Sequence, residues 1–408
     1  MSLGLPRESM IPTSRLRVLF IPQWYPSMDQ SNQVMGTFCR EHVRAASLYD
    51  DVAALVYGGR QDRWPTLQWS RVDDRGVPTF YATYGMSPIP KTTRPFFYVH
   101  LRRAFRRVLE EWGRPDLIHT QDGYGFYVMK TLAPFRIPVV ISQHSTAFME
   151  RTVDQETVRR ARWAFDRAVR VLPANKFAQQ DYEPYGLSPR TTWLPNALDT
   201  DVFYPSTQAK QPWLLHASGF TTVKRFPDII QAFAQVQMDE PDAVLQVVGE
   251  SMNRKRMEAL AAEHLPPQSF QFHGAVSKQD VAALMRRSSG FVFASEAETF
   301  GCVLMEAMAC GCPVLTTRVG GIPAVVRNGE GLFVEVGNIA EIARGMHQLL
   351  DGTHGLDLKR ISRETRTRFS HQAVGRLLHD EHLRAANVCP EYRPVETIGS
   401  QAITEDVR

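Results

Sequence analysis

The chain alternates short apolar runs with helix-like stretches, and it does so in two separate series. The first opens at Leu16-Arg17-Val18-Leu19-Phe20-Ile21 and stops at Pro22. A loop holding Pro26 runs to about Met35, and a helix then reads from Gly36 or Thr37 to about Ser47. Val52-Ala53-Ala54-Leu55-Val56-Tyr57 is the next strand and ends at Gly58-Gly59; runs at 116–119, 138–141 and 170–172 continue the series. The pattern restarts after Pro205, with strands at 213–216, 244–249, 270–273, 290–293 and 313–316. Helices at 228–236, 252–263, 278–287 and 301–309 separate them. Strands and helices alternating at this spacing predict parallel sheets covered on both faces. Two series in 408 residues predict two α/β domains, with the stretch Pro195 to Pro205 as linker. Ligands of open parallel sheets bind beyond the carboxyl ends of the strands. Two such edges facing each other would enclose a substrate pair and exclude water.

Composition narrows the classes. Hydrophobic residues are 43% and charged residues 22%, enough apolar matter for a real core. Residues 1–200 hold 26 Lys and Arg against 19 acidic residues, whereas 201–408 hold 21 against 24. The basic half suits an anionic or membrane-associated partner. No apolar run approaches the roughly 20 residues that span a bilayer. The polar start, residues 1–15, lacks the apolar core of a signal peptide and reads as a lead-in. The five cysteines (Cys39, Cys302, Cys310, Cys312, Cys389) are too sparse for a disulfide framework, and Cys310-x-Cys312 lacks a zinc spacing. They read as small buried hydrophobes in a reducing cytoplasm.

Chemistry is concentrated at Phe291-Val-Phe-Ala-Ser-Glu296-Ala-Glu298-Thr299-Phe300-Gly301-Cys302-Val303-Leu-Met-Glu306-Ala-Met-Ala-Cys-Gly311-Cys-Pro313-Val. A buried strand ends near Ala294, Gly301 permits a tight turn, and a helix begins. Unpaired N–H groups and the helix dipole at that start suit a diphosphate. Glu298 before the helix and Glu306 near its second turn can each hold a pair of sugar hydroxyls. The bland alternative is a solvated acidic loop before an ordinary helix. Two carboxylates flanking a Gly-led helix start at a sheet's carboxyl edge weigh against it. His144 at the end of the strand Ile137-Pro-Val-Val-Ile-Ser-Gln-His144 is a further candidate, as are Lys224 and Arg225 between a strand and a helix. Gly123-x-Gly125-x-x-Val128 lacks the third Gly of a dinucleotide fingerprint and reads as a loop. No Walker loop, HExxH or GxSxG occurs.

Phe97, Leu101, Ala104, Phe105 and Val108 form one face of a helix over about 97–109 that also carries Arg102, Arg103, Arg106 and Arg107. It reads as a covering helix with solvated arginines, or as a peripheral contact with an anionic membrane. Nucleic acid is excluded by the modest charge and the lack of a recognition motif.

Glu298-x7-Glu306 followed by Ala-Met-Ala-Cys-Gly-x-Pro-Val resembles the signature of the retaining GT-B glycosyltransferases of family 4. Other landmarks follow in order: the strand ending at His144, Val171-Leu-Pro-Ala-Asn-Lys176, Trp193-Leu-Pro195-Asn196-Ala-Leu-Asp199 with Phe203, Phe272-His-Gly274-Ala-Val276, Gly320-Gly321-Ile322-Pro323 and Gly329-x-Gly331. The resemblance covers roughly residues 16–385. It implies a GT-B fold of two Rossmann-like parallel-sheet domains facing across a cleft. An acceptor domain would occupy 16–200 and a nucleotide-sugar donor domain 201–370. A helix at 371–390 would pack back on the first domain, and a tail would follow at 391–408. It implies a hexosyltransferase that retains anomeric configuration, uses a nucleoside diphosphate sugar such as a UDP or GDP sugar, and needs no metal or other cofactor. The acceptor would be a saccharide, a lipid-linked group or a small molecule, in glycan, polysaccharide or glycolipid synthesis in the cytoplasm or at the inner face of the membrane.

By the same resemblance, His144, Glu298 and Lys224 would act on the sugar and its leaving group. Gly36, Lys224, Arg225, Gly274, Val276, Thr299, Phe300, Gly301, Cys302, Val303 and Glu306 would hold the donor. The chain departs from the family pattern where Ala217-Ser218-Gly219-Phe220 lacks an Arg, and Arg225 would then supply the second positive charge. Ala324 and Ala197 likewise replace an acid and a Gly. Two other readings predict different behaviour: an epimerase or hydrolase on the same scaffold, and a silent sugar-binding protein.

Overall fold

The computed structural model describes residues 15–26, 36–60, 67–85 and 93–387. The loop to Met35, Cys389 and the stretches 1–14 and 388–408 lie outside the described residues. The first sheet contains β1 (Arg17–Ile21), β2 (Asp51–Arg60), β3 (Leu67–Asp74), β4 (Val77–Gly85), β5 (Leu117–Gln121), β6 (Val139–Gln143) and β7 (Arg170–Pro173). Their spatial order is β3-β4-β2-β1-β5-β6-β7. The second contains β8 (Gln211–Ala217), β9 (Val244–Val248), β10 (Phe270–Gly274), β11 (Ser288–Phe293), β12 (Val314–Thr317) and β13 (Leu332–Val334), in the order β10-β9-β8-β11-β12-β13. Around the first sheet lie α1 (Thr37–Ser47), α2 (Thr93–Glu111), α3 (Tyr124–Leu132), α4 (Gln155–Arg167) and α5 (Ala178–Tyr182). Around the second lie α6 (Phe226–Asp239), α7 (Arg254–His264), α8 (Lys278–Arg287), α9 (Cys302–Ala309), α10 (Ile322–Val325), α11 (Ile339–Leu350) and α12 (Leu358–Phe369), with α13 (His371–Asn387) closing the chain.

The central strands are buried along their whole length, β5 and β6 at every residue, because helices cover both faces. One departure from the all-parallel expectation stands out: β3 pairs antiparallel with β4 at the sheet edge. The two-residue turn Arg75-Gly76 has both φ values positive, 54° and 87°, the geometry whose twist suits a hairpin. Half of the β3 residues are exposed and three of the eight are charged, so no continuous apolar run marks the strand. A second departure is Gly123-x-Gly125, which opens α3 instead of forming a loop. A Cβ on Gly125 would fall 2.8 Å from Ile141 Cδ1, so the glycine brings α3 close onto β6.

The chain crosses between the two sheets twice. The first crossing follows β7 and leads to β8; the second is Ser370, between α12 and α13. Leu198 N–H donates to the Phe369 carbonyl at 2.7 Å, so the two crossings lie side by side. α13 packs on α1, with contacts to β5 and β6. Its His382 Nδ1 lies 3.1 Å from Asp50 Oδ2 and its Nε2 3.0 Å from His119 Nδ1. His379 Nδ1 lies 2.7 Å from the other Asp50 oxygen. All four side chains are buried.

Candidate functional site

β8 and β11 are neighbours at the point where the second sheet's strand order turns, with β9 on one side and β12 on the other. Chain segments leaving such a pair diverge and open a crevice. Residues 218–225 follow β8, and residues 294–301 follow β11. Lys224 and Glu298 come from these two segments, and Lys224 Nζ donates to Glu298 Oε2 at 2.7 Å. Both side chains are largely shielded from solvent. Glu296 N–H donates to the Val223 carbonyl at 2.8 Å and Ser295 Oγ to the same oxygen at 2.8 Å, which pins the two segments together.

Gly301 stands before α9 with φ +87°, a conformation that turns the chain sharply into the helix. The N–H groups of Cys302 and Val303 lie in the first turn, where the helix offers them no carbonyl. The Phe300 N–H is engaged by Glu298 Oε1 at 3.3 Å, and the Phe300 ring is buried against Phe369. The Phe300 side chain is therefore not presented to a ligand. Cys302 Sγ accepts a hydrogen bond from Asn196 Nδ2 at 3.1 Å, and burial pushes its thiol up to about 12, so it is no nucleophile. Thr299 and Glu298 rest on the paired glycines 320 and 321: a Cβ on Gly320 would fall 2.1 Å from the Glu298 carbonyl oxygen, and one on Gly321 1.9 Å from that of Thr299. Gly320 also lies against Met149 of the first unit, whose Cε would be 2.7 Å from the same added Cβ.

Glu306 lies on the second turn of α9. Burial pushes its carboxyl up to about 7; nearby Lys278 draws it down and Glu41 adds to the rise. Lys278 Nζ, at the start of α8, donates to Glu41 Oε1 at 3.0 Å, and Glu41 Oε2 lies 2.8 Å from His371 Nε2. Burial alone would raise the Glu41 carboxyl, but the His371 hydrogen bond and the charges of Lys278 and Arg44 outweigh it and hold it well below the usual range. This α1–α8–α13 junction escaped the sequence reading. Its members are 237 and 330 residues apart, and no local pattern joins them.

His144, at the end of β6, is 9% exposed, and neither ring nitrogen has a hydrogen-bond partner among the described residues. Its ring lies tilted against Phe38, centroids 4.5 Å apart, and 5.5 Å from the His42 ring. Burial, with His42 adding, lowers its pKa well below the ordinary value, so the ring is neutral. Asp122 Oδ1 accepts from the His144 and Ser145 N–H groups at 2.8 and 3.0 Å and fixes that turn. Gly36 sits directly before α1, packed on the Trp24 backbone.

Three candidates are placed less directly. Arg225 is held by Asp228 at 2.6 Å and Glu296 at 3.0 Å, so its charge is neutralised locally instead of standing free as a second cation. Gly274 ends β10 beside Arg254, itself paired with Glu250 and Glu258. Val276 packs into the core around α9.

Residues 200–373 match the sequence model described as Glycosyl transferases group 1, and residues 64–202 that of Glycosyltransferase Family 4. The chain is 32% identical over 237 residues to N-acetyl-alpha-D-glucosaminyl L-malate synthase of Bacillus anthracis, covering 55% of this chain and 61% of that protein. It is 26% identical over 342 residues to D-inositol 3-phosphate glycosyltransferase of Acidothermus cellulolyticus, covering 76% and 75%. The chain thus spans about three fifths of the length of the first relative. Among solved structures, sucrose-phosphate synthase from Thermosynechococcus elongatus superposes with a TM-score of 0.74 at 20% identity, over 92% of this chain and 100% of that one. Anabaena HepE in complex with UDP-glucose gives 0.70 at 18%, over 90% and 99%. At these identities the likeness concerns the fold, which is GT-B. With both halves of the chain matched in order, the protein belongs to the group 1, family 4 glycosyltransferases.

Proposed function

We propose that the protein is a retaining, metal-independent glycosyltransferase that moves a sugar from a nucleoside diphosphate sugar to an acceptor hydroxyl, in glycan, polysaccharide or glycolipid synthesis. The observation that carries the reading is the Lys224–Glu298 pair at the start of α9, where a cation, a carboxylate and a helix N-terminus meet at one strand switch point. Breaking the glycosyl–phosphate bond leaves negative charge on the diphosphate. The Lys224 ammonium and the N–H groups of Cys302 and Val303 would stabilise it, the work a divalent ion does elsewhere. Glu306 would accept hydrogen bonds from the ribose hydroxyls and Glu298 from the sugar. The neutral His144 ring, with one nitrogen to accept and one to donate, would hold a sugar hydroxyl beside the reacting carbon. HepE, of the same fold, is seen with UDP and with UDP-glucose. The acceptor would be a saccharide, a lipid-linked group or a small molecule, bound by the first unit. The exposed arginines of α2, Arg102, Arg103 and Arg106, would bring it to an anionic membrane surface.

The test is slow acceptor-free hydrolysis of a panel of nucleoside diphosphate sugars in EDTA, followed by NMR. The expected result is release from one donor of a sugar with the donor's own anomeric configuration. Release of the opposite anomer, conversion to an epimer, or complete loss of activity in EDTA contradicts the proposal.

A further inference from the structure

A cavity of about 530 Å³ lies between the linker and α12. None of residues 218–225 or 294–306 lines it, so it is separate from the site above. Four cations do: Lys210, Lys359, Arg363 and Arg366. No acidic residue is among the described residues that wall it, and none of the four makes an ion pair among the described residues. Arg366 reaches the Thr200 carbonyl only at 3.4 Å, and its Nε is buried without a hydrogen-bond partner among the described residues. Lys210 Nζ is 3.5 Å from the Met285 carbonyl.

The rest of α12 behaves differently. Arg360 pairs with Glu364 at 3.0 Å, and Arg368 with Glu330 at 2.9 Å. Cations on one side of this helix are thus neutralised, while Lys359, Arg363 and Arg366, at four- and three-residue spacing, form a single stripe without counter-charge. Like charges gathered in a concavity repel one another, a cost that a multivalent anion removes. Hydroxyls of Thr200 and Ser206 add neutral hydrogen-bonding groups to the same wall.

The position gives such binding a consequence. Thr200 and Ser206 belong to the first chain crossing and Ser370 is the second, and all three wall the cavity. Ser362 Oγ donates to the Ala309 carbonyl at 2.7 Å, tying α12 to the end of α9. An occupant would touch both crossings and α12, which Ser362 ties to the helix that carries Glu306.

We propose that this cavity is a second anion site, one that takes a soluble phosphate ester or oligophosphate of metabolite size. The shared chemistry, clustered phosphate oxygens, could also come from a lipid headgroup, and the experiment separates the two. The full-length protein is titrated with inorganic tripolyphosphate at constant ionic strength, with thermal stability as readout. A saturable stabilisation is expected. K359A/R363A, two exposed positions where Ala keeps the helix, is expected to raise the half-saturating concentration about tenfold or more, since a charge-assisted hydrogen bond contributes about 1.5–3 kcal/mol. K224A is expected to leave it within about twofold, on the same scale. No stabilisation of the wild type, or the same titration in K359A/R363A, overturns the site. Loss of the response in K224A also overturns it, because the probe would then be in the cleft. In parallel, co-sedimentation with phosphatidylglycerol vesicles reads the lipid source. Retention lost in K359A/R363A assigns the site to a headgroup, and retention unchanged or absent keeps the soluble ligand.

Discussion

Glu306 carries a marked electrostatic burden among the candidate site residues. Its carboxyl, raised to about 7 chiefly by burial, is half protonated near neutrality while the cleft is empty. If it accepts ribose hydroxyls as a carboxylate, nucleotide affinity should rise between pH 6 and 8 in the wild type and be flat in E306Q; calorimetric titration across that range checks this. The sign for folding is opposite. A carboxyl whose folded pKa lies above its unfolded value contributes stability that is full below about 4.5 and is lost as pH rises through about 7. Denaturant melts without nucleotide should therefore show E306Q gaining on the wild type as pH increases from 5 to 8. K224A should lower turnover by roughly a hundredfold or more, the usual scale for losing a group that stabilises leaving-group charge. A K224A enzyme of wild-type turnover would remove Lys224 from the site. That Glu298, Glu306 and Lys224 lie about one helix start was legible from local pattern: a strand end, a glycine turn, a helix start; the roles proposed for them rest on the family resemblance. Lys278 and Glu41 were not, since only the closed fold brings α8 onto α1.

At the scale of elements, the parallel strands were legible because burial on both faces writes them as continuous apolar runs. The β3–β4 hairpin left no such trace: β3 has one poorly covered face and charges along it. Its local signals are the Arg75-Gly76 turn and the β-branched and aromatic residues of β4. Gly320 and Gly321 show what a motif means physically: they let the α10 turn come within van der Waals contact of the Glu298 and Thr299 backbone. G321A should cost about 1–3 kcal/mol from forced displacement and reduce turnover by shifting Glu298, measured by urea unfolding and by donor hydrolysis together. Gly375 does the same for α13, since a Cβ there would fall 2.1 Å from the Ala45 carbonyl oxygen. G375A should destabilise by a similar roughly 1–3 kcal/mol and leave nucleotide affinity unchanged.

For the whole molecule, the question is what keeps the two units in register. One tie is the buried Asp50–His379–His382–His119 cluster, which holds α13 on the first sheet. Burial would raise the Asp50 carboxyl, but hydrogen bonds and charge from His382 and His379 lower it on balance. Its contribution is therefore present above the ordinary carboxylate range and is lost as pH falls through the lowered value. D50N should unfold at lower denaturant at neutral pH and show a shallower loss of stability on acidification. Another tie is the Lys278–Glu41 pair between α8 and α1. That two α/β units exist was readable from the repeated alternation; how α13 returns to the first was implied only by resemblance. The central claim is that the edge between β8 and β11 binds a nucleoside diphosphate sugar through Lys224, Glu298 and Glu306. Calorimetric titration of the wild type and E306A with UDP, GDP and ADP tests it most directly. One nucleotide should bind the wild type, and E306A should bind it at least about tenfold more weakly, as loss of a charged acceptor predicts. Equal affinity in both proteins, or no binding of any nucleotide to the wild type, would contradict it.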